Sequence, residues 1–287
     1  MSSTDFQLVA LDLDGTVLDS AGQVSAAFKA VAGQLRRLGV RTVMCTGRRW
    51  RTALPIIRQI QHAHPYVICC GGALIKDGRR HTTLYTNPLG IALARPAVEG
   101  FRKAGLVPFL LYDRPLRERE LLISDTDRER AKGLAYVADN AAAFEPYPDG
   151  FPAVREAPLV VYTVDEPERV CSGESIVQGA VGKDALVAVL RHPHGGRQWA
   201  LEVHSLAASK WAALSWLLER WKVPPSRVVA IGDDVNDIPM LEAAGLSFAM
   251  GNAVPAAKAA ADRLTADNDQ DGAALALRSV FALGPEP

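Results

Sequence analysis

The sequence predicts an α/β protein, a parallel sheet with helices on both faces that is interrupted by an inserted α+β domain. Three observations carry that expectation. Short apolar runs alternate with helical patterns at both ends of the chain, the alternation lapses between residues 84 and 196, and the outer apolar runs stop at polar clusters rich in glycine.

Phe6 to Leu13 mixes apolar residues with one aspartate and breaks at Asp14-Gly15-Thr16, as a buried strand does on entering a turn. Ser25 to Leu38 spaces Ala26, Phe28, Val31, Leu35 and Leu38 as a helix does, with Gly39 as the stop. A second strand, Val40 to Cys45, ends in Thr46-Gly47-Arg48, a helix follows through Ile60, and a third strand, Tyr66 to Cys70, ends in Gly71-Gly72. The middle differs: the runs Leu106–Tyr112, Glu120–Ser124 and Leu159–Val164 sit among charges and prolines, and Arg114 to Lys132 suits an exposed helix and hairpin layer. Trp199 to His204 reads as a strand re-entering the first sheet. A helix over Ala207 to Arg220 then carries Trp211, Leu214, Leu217, Leu218 and Trp221 on one face. Strand Arg227–Ile231 leads into Gly232-Asp233-Asp234, helix Asp237–Ala244 follows, and strand Ser247–Met250 ends in Gly251-Asn252-Ala253. The expected domains are therefore 1–83 and 197–287, two parts of one core, with 84–196 inserted.

Bulk composition excludes several classes. The 287 residues are 48% hydrophobic, enough for a sizeable core, and 32 basic residues cancel 32 acidic ones. A nucleic-acid binder would show a basic excess. No run reaches the roughly 18 apolar residues of a membrane span, and acids in the first apolar run argue against a signal peptide. Cys45, Cys69, Cys70 and Cys171 lack C-x-x-C spacing and suit small reduced core residues of a cytoplasmic protein. Neutral charge and scattered apolar residues do not decide the oligomeric state.

Four polar clusters fall at the carboxyl ends of expected strands or at helix starts, the edge where open parallel sheets bind ligands. In Asp12-Leu13-Asp14-Gly15-Thr16, two carboxylates two residues apart repel unless they share a cation or a proton. A magnesium ion, which takes hard oxygen ligands, resolves that conflict. One carboxylate then suits in-line attack on phosphorus and the other proton transfer to and from oxygen. Asp-Gly alone is also common at plain turns. Thr46-Gly47-Arg48 offers a hydroxyl and backbone N–H groups to a phosphate, or equally a helix cap. Lys210 offers a point charge, although a lone lysine there is more often solvated. Gly232-Asp233-Asp234-Val235-Asn236-Asp237 offers a further magnesium ligand and an amide, with Asp237 also able to cap the next helix.

Taken together, these residues resemble the haloacid dehalogenase superfamily in its Cof-type branch of phosphatases. Asp-Leu-Asp-Gly-Thr and Gly-Asp-x-x-Asn-Asp lie at opposite ends, with Thr-Gly-Arg and a lysine between, and the resemblance spans Leu8–Ala73 and Leu201–Ala274. The segment from Gly251-Asn252-Ala253 through Asp271-Gly272 is similar to that branch's ending. The resemblance implies a Rossmann-like core with an inserted α/β cap and hydrolysis of a small phosphorylated metabolite, such as a sugar phosphate. It implies Asp12 as nucleophile and Asp14 as general acid and base. Magnesium would be held by Asp12, the backbone carbonyl of Asp14 and Asp233. Thr46, Gly47, Lys210 and Asn236 would contact the phosphoryl group, and Asp237 would orient Lys210 or metal-bound water. The chain departs from the family at Cys70-Gly71-Gly72, where Asn-Gly is common, and at Trp211, where a glycine usually follows the lysine.

Phosphotransfer to an acceptor sugar is the alternative activity, and a non-catalytic ligand-binding regulator is the alternative class. Glu202 with His204 lacks a third zinc ligand. His192-Pro193-His194 beside Gly195-Gly196 reads as a polar turn. Trp211 and Trp221 suit core packing, with Trp216 off that face. Asp267 to Asp271 suits a turn and helix start.

Overall fold

The computed structural model describes residues 6–60, 66–116, 118–149, 156–191 and 198–284. It divides into two compact units, Met1–Tyr85 with Ser209–Pro287, and Thr86–Ala208.

The first unit is built on an eight-stranded sheet. Its central strand, Leu8–Asp12, is buried at every residue, which is why it reads as an apolar run without alternation. Parallel strands flank it on both sides, Val228–Gly232 on one and Arg41–Cys45 on the other, with Asp12 opposite Cys45. Tyr66–Cys69 extends the parallel order on the Arg41–Cys45 side, and Leu246–Ala249 and Arg263–Leu264 extend it on the other. The chain thus leaves Leu8–Asp12 toward one side and returns on the other. A switch of this kind opens a crevice beyond the carboxyl ends of the strands. Two strands that the sequence did not announce, the antiparallel Leu74–Asp77 and then Thr83–Thr86, complete one edge. Helix Ala26–Arg37 packs with Gly272–Phe281, and Lys210–Trp221 with Ile238–Ala243, so helices gather in separate layers.

The second unit has its own six-stranded sheet. Its order is Ala185–Arg191, Trp199–Ser205, Val160–Asp165, Phe109–Leu111, Leu121–Ser124 and Phe144–Tyr147, antiparallel except for the last pair. Helices Ile91–Lys103 and Pro167–Val181 cover one face, closing a core that includes Val98, Phe101, Val177, Val161, Leu201 and Val203. Gly100 lets the helices approach, since a Cβ there would lie 2.8 Å from that of Ala180.

Several expectations are corrected. Trp199–Ser205 is a strand, but it pairs with Ala185–Arg191 and Val160–Asp165 rather than re-entering the first sheet. The following helix begins at Lys210, not Ala207, because Ser209 caps it by accepting the Ala212 N–H at 3.0 Å. Trp211 and Trp221 are only half-buried; Trp221 packs on Tyr66 with ring centroids 4.7 Å apart. Cys45, Cys69 and Cys70 are buried, whereas Cys171 is exposed. Within Arg114–Lys132 the charged segment forms one short helix, Asp125–Arg130, after strand Leu121–Ser124. Asp267–Asp271 forms a tight turn before helix Gly272–Phe281, as expected. The turn at His192-Pro193-His194 and Gly195-Gly196, and the boundary between residues 196 and 197, lie outside the described residues.

Candidate active site

Asp12 ends the central strand with only 4% of its surface exposed. Lys210 meets it from the first position of helix Lys210–Trp221, where a cation opposes the helix dipole and burial removes its water. Two carboxylates offset that cost: Lys210 Nζ donates to Asp12 Oδ1 at 2.7 Å and to Asp237 Oδ1 at 2.7 Å. The other oxygen of Asp237 accepts the backbone N–H of Asp233 at 3.1 Å and of Asp234 at 3.2 Å. Asp237 therefore closes the turn Val235–Asp237, whose cap is Asp234, and is the second anchor of the lysine; its side chain does not cap the following helix Ile238–Ala243, a role the sequence had suggested.

The two motif glycines make this crowding possible. Gly15 has φ +78°, and a Cβ there would lie 2.3 Å from Asp233 Oδ2. A Cβ on Gly232 would lie 2.6 Å from the Asp237 Cβ. Thr16 Oγ1 then donates to Asp233 Oδ1 at 3.0 Å, a contact that the motif contained but that had no role assigned. Asn252 Nδ2 donates to the Gly15 carbonyl at 2.8 Å, and Asn268 bridges Asn252 Oδ1 and the Leu18 carbonyl. These amides tie the loop after the central strand to the C-terminal segment.

Thr46 is fully buried at the end of the adjacent strand. Its N–H donates to the Ile68 carbonyl at 2.8 Å, its carbonyl accepts from Gly71 at 3.1 Å, and its hydroxyl accepts the Arg48 N–H at 3.1 Å. Gly47 beside it has nothing within 4 Å of an added Cβ. The Cys70-Gly71-Gly72 departure has a structural reason. All three residues have positive φ, and a Cβ on Gly72 would lie 2.1 Å from the carbonyl oxygen of Ser209, the cap of the lysine's helix. The turn thus joins the Thr46 loop to the element presenting Lys210. Asn236 is half-buried, and its Oδ1 is buried with no partner among the described residues. Among those residues neither Thr46 nor Asn236 bonds directly to the Asp12–Lys210–Asp237 centre. Asp14 stands apart from it as well, paired to Arg48, a partner the sequence reading did not identify.

The electrostatics are those of acids crowded around one cation. Burial raises the Asp12 carboxyl well above its usual range; Lys210 opposes this, while Asp237, Asp233 and Asp14 add to it. Burial and Asp237 push Asp233 up to about 7, against the pull of Lys210 and of the Thr16 bond. Burial alone would lower Lys210, but Asp12 and Asp237 hold it raised. Carboxylate oxygens of Asp12, Asp233 and Asp237 lie within 4.8 Å of one another. Both Asp237 oxygens are engaged, so Asp12 and Asp233 are the better donors. Hard oxygens whose anionic forms are disfavoured by crowding fit a divalent cation.

This has a consequence for stability. An acid raised in the folded state binds more protons folded than unfolded, so stability falls as pH rises through the interval. For Asp233 that interval runs from 3.8 to about 7. The chain in excess EDTA is expected to be less stable at pH 8 than at pH 5.5 by about 2 kcal/mol, because about 1.5 pH units of that interval lie above pH 5.5 at about 1.4 kcal/mol per unit. Asp233→Asn should flatten that slope, and an equally steep slope in the variant would assign it elsewhere.

Comparison with known proteins places these features in a family. A family model described as haloacid dehalogenase-like hydrolase matches residues 9–277. The phosphatase YwpJ of Bacillus subtilis is 31% identical over 96% of this chain and 100% of its own. The 5-amino-6-(5-phospho-D-ribitylamino)uracil phosphatase YitU of the same organism is 26% identical over 96% and 98%. A haloacid dehalogenase-like hydrolase from Bacteroides thetaiotaomicron superposes with a TM-score of 0.78 at 25% identity, over 96% of this chain and all of that one.

Proposed function

The chain belongs to the haloacid dehalogenase-like hydrolases and is a phosphatase of their Cof-type branch, and from that premise we propose that it hydrolyses a small phosphorylated metabolite, such as a sugar phosphate, through an aspartyl-phosphate on Asp12. The observation that carries this reading is the Asp12–Lys210–Asp237 arrangement at the carboxyl end of the central strand, with Asp233 beside it.

An Asp12 carboxylate oxygen forms a bond to phosphorus as the ester P–O bond breaks. The leaving oxygen keeps that electron pair and takes a proton from Asp14. Asp14 then takes a proton from water, whose oxygen attacks the same phosphorus. The Asp12 O–P bond breaks, phosphate departs and both aspartates return to their starting forms. Lys210 keeps one Asp12 oxygen occupied, leaving the other for attack, and Asp237 fixes the ammonium. Thr46, the Gly47 backbone and Asn236 are assigned to the phosphoryl oxygens. Asp12, Asp233 and the carbonyl of Asp14 would hold a magnesium ion, whose chemistry there is neutralisation of phosphoryl charge.

Phosphate release from 4-nitrophenyl phosphate, measured in magnesium chloride and after EDTA treatment, tests this directly. A loss of at least about 100-fold in EDTA, reversed by magnesium, is expected; undiminished turnover in EDTA would sink the metal-assisted reading.

A further inference from the structure

Arg48 contributes nothing to the chemistry assigned above, yet its long side chain is buried in the site. It is 6% exposed, although arginine rarely loses its water without a partner. Its guanidinium reaches from the end of strand Arg41–Cys45 to the loop after Leu8–Asp12. There Nε donates to Asp14 Oδ2 at 2.8 Å and Nη2 to Asp14 Oδ1 at 2.5 Å. The backbone of Arg48 is pinned too: its N–H donates to Thr46 Oγ1 at 3.1 Å and its carbonyl accepts the Cys70 N–H at 3.0 Å.

We propose that Arg48 is a positioning residue for Asp14, setting the direction in which that carboxylate meets the leaving oxygen; this rests on the acid–base role given to Asp14 above. Two parallel bonds from one planar group fix the carboxylate plane, which a single contact does not do. The Asp14 side chain is 30% exposed and so has room to rotate without the fork. Each carboxylate oxygen accepts one bond from the fork and keeps a second lone pair. That lone pair carries the proton to the leaving oxygen, and later receives one from water. Lysine would keep the charge but lose the plane.

The signature of such a role is dependence on leaving-group basicity. An acidic phenol departs with little help, whereas a more basic one needs its proton delivered. Arg48→Lys and the parent are compared in single-turnover release of 4-nitrophenol and 4-methoxyphenol from their phosphate esters, two substrates of similar shape. The variant is expected to slow 4-methoxyphenol release at least about tenfold more than 4-nitrophenol release. KM and the magnesium concentration for half-activation should stay within about twofold of the parent. In an Asp14→Asn background, Arg48→Lys should cause no further discrimination between the esters. Equal slowing of both esters with a raised KM would make Arg48 a phosphate-binding group and overturn the proposal, as would no change at all. Asp14→Asn also reads the other partner should Arg48→Lys fail to fold: uniform loss on both esters in that variant overturns the proposal. A parent chain inactive on both esters in magnesium would sink the underlying phosphatase mechanism, an outcome distinct from failure of the Arg48 variant alone.

Discussion

An Asp12→Asn chain is expected to release phosphate at least about 10⁴-fold more slowly than the parent, yet to melt no lower at neutral pH. Asparagine keeps the shape, and its amide oxygen can still accept the Lys210 bond now made at 2.7 Å to Asp12. It does not supply an anionic oxygen for attack on phosphorus. The stability half of the expectation comes from the crowding. Asp237, Asp233 and Asp14 all raise the Asp12 carboxyl, and burial raises it most. Removing that one negative charge leaves Lys210 paired with Asp237 at 2.7 Å, so no buried cation is stranded. Steady-state phosphate release and a thermal melt on the same preparation check both halves. Activity within tenfold of the parent would remove Asp12 as nucleophile. A melting point lowered by many degrees would mean that Lys210 needs both acids.

The core was legible because its strands are buried throughout. Leu8–Asp12 and Val228–Gly232 are buried at every residue, so each reads as an unbroken apolar run whose end is marked by the first acid or glycine. Acids standing at such ends are conspicuous, which marks the clusters at Asp12–Asp14 and Asp233–Asp237, while the choice of Asp233 within the second came from the family resemblance. The sheet partner of Trp199–Ser205 was not legible, for a physical reason. A residue pattern shows that a segment pairs, not with which strand, and it marks neither the preceding Ala185–Arg191 nor Val160–Asp165 as the partner. Burial of Lys210 was hidden similarly. A lysine at a helix start is normally solvated, and what desolvates this one is a pair of acids 198 and 27 positions away. The Asp14–Arg48 pair spans 34 positions and was invisible for the same reason. Cys171 misled because composition places cysteine inside, whereas its helix turns it outward.

Lys210→Met is expected to destabilise the chain by about 3–5 kcal/mol, a fall of roughly 2–4 °C in melting point per kcal/mol for a chain of this size, and to abolish activity. Methionine fills most of the stem's volume, so packing is nearly conserved and the loss is electrostatic. Asp12 and Asp237 each lose the cation that now lies 2.7 Å from one of their oxygens. Both carboxylates are buried, and a buried charge without its partner costs more than the pair ever contributed. The acids then have one escape, which is to take up protons. The deficit relative to the parent should therefore be larger at pH 8 than at pH 5.5, because protonation relieves the stranded charges only at the lower pH. The Asp12→Asn/Lys210→Met double variant, in which neither charge of that contact remains, should recover part of the lost stability and none of the activity. Denaturant melts of the three variants at both pH values check this. A Lys210→Met chain as stable as the parent at pH 8 would show that the lysine acts only on substrate and does not hold the carboxylates together.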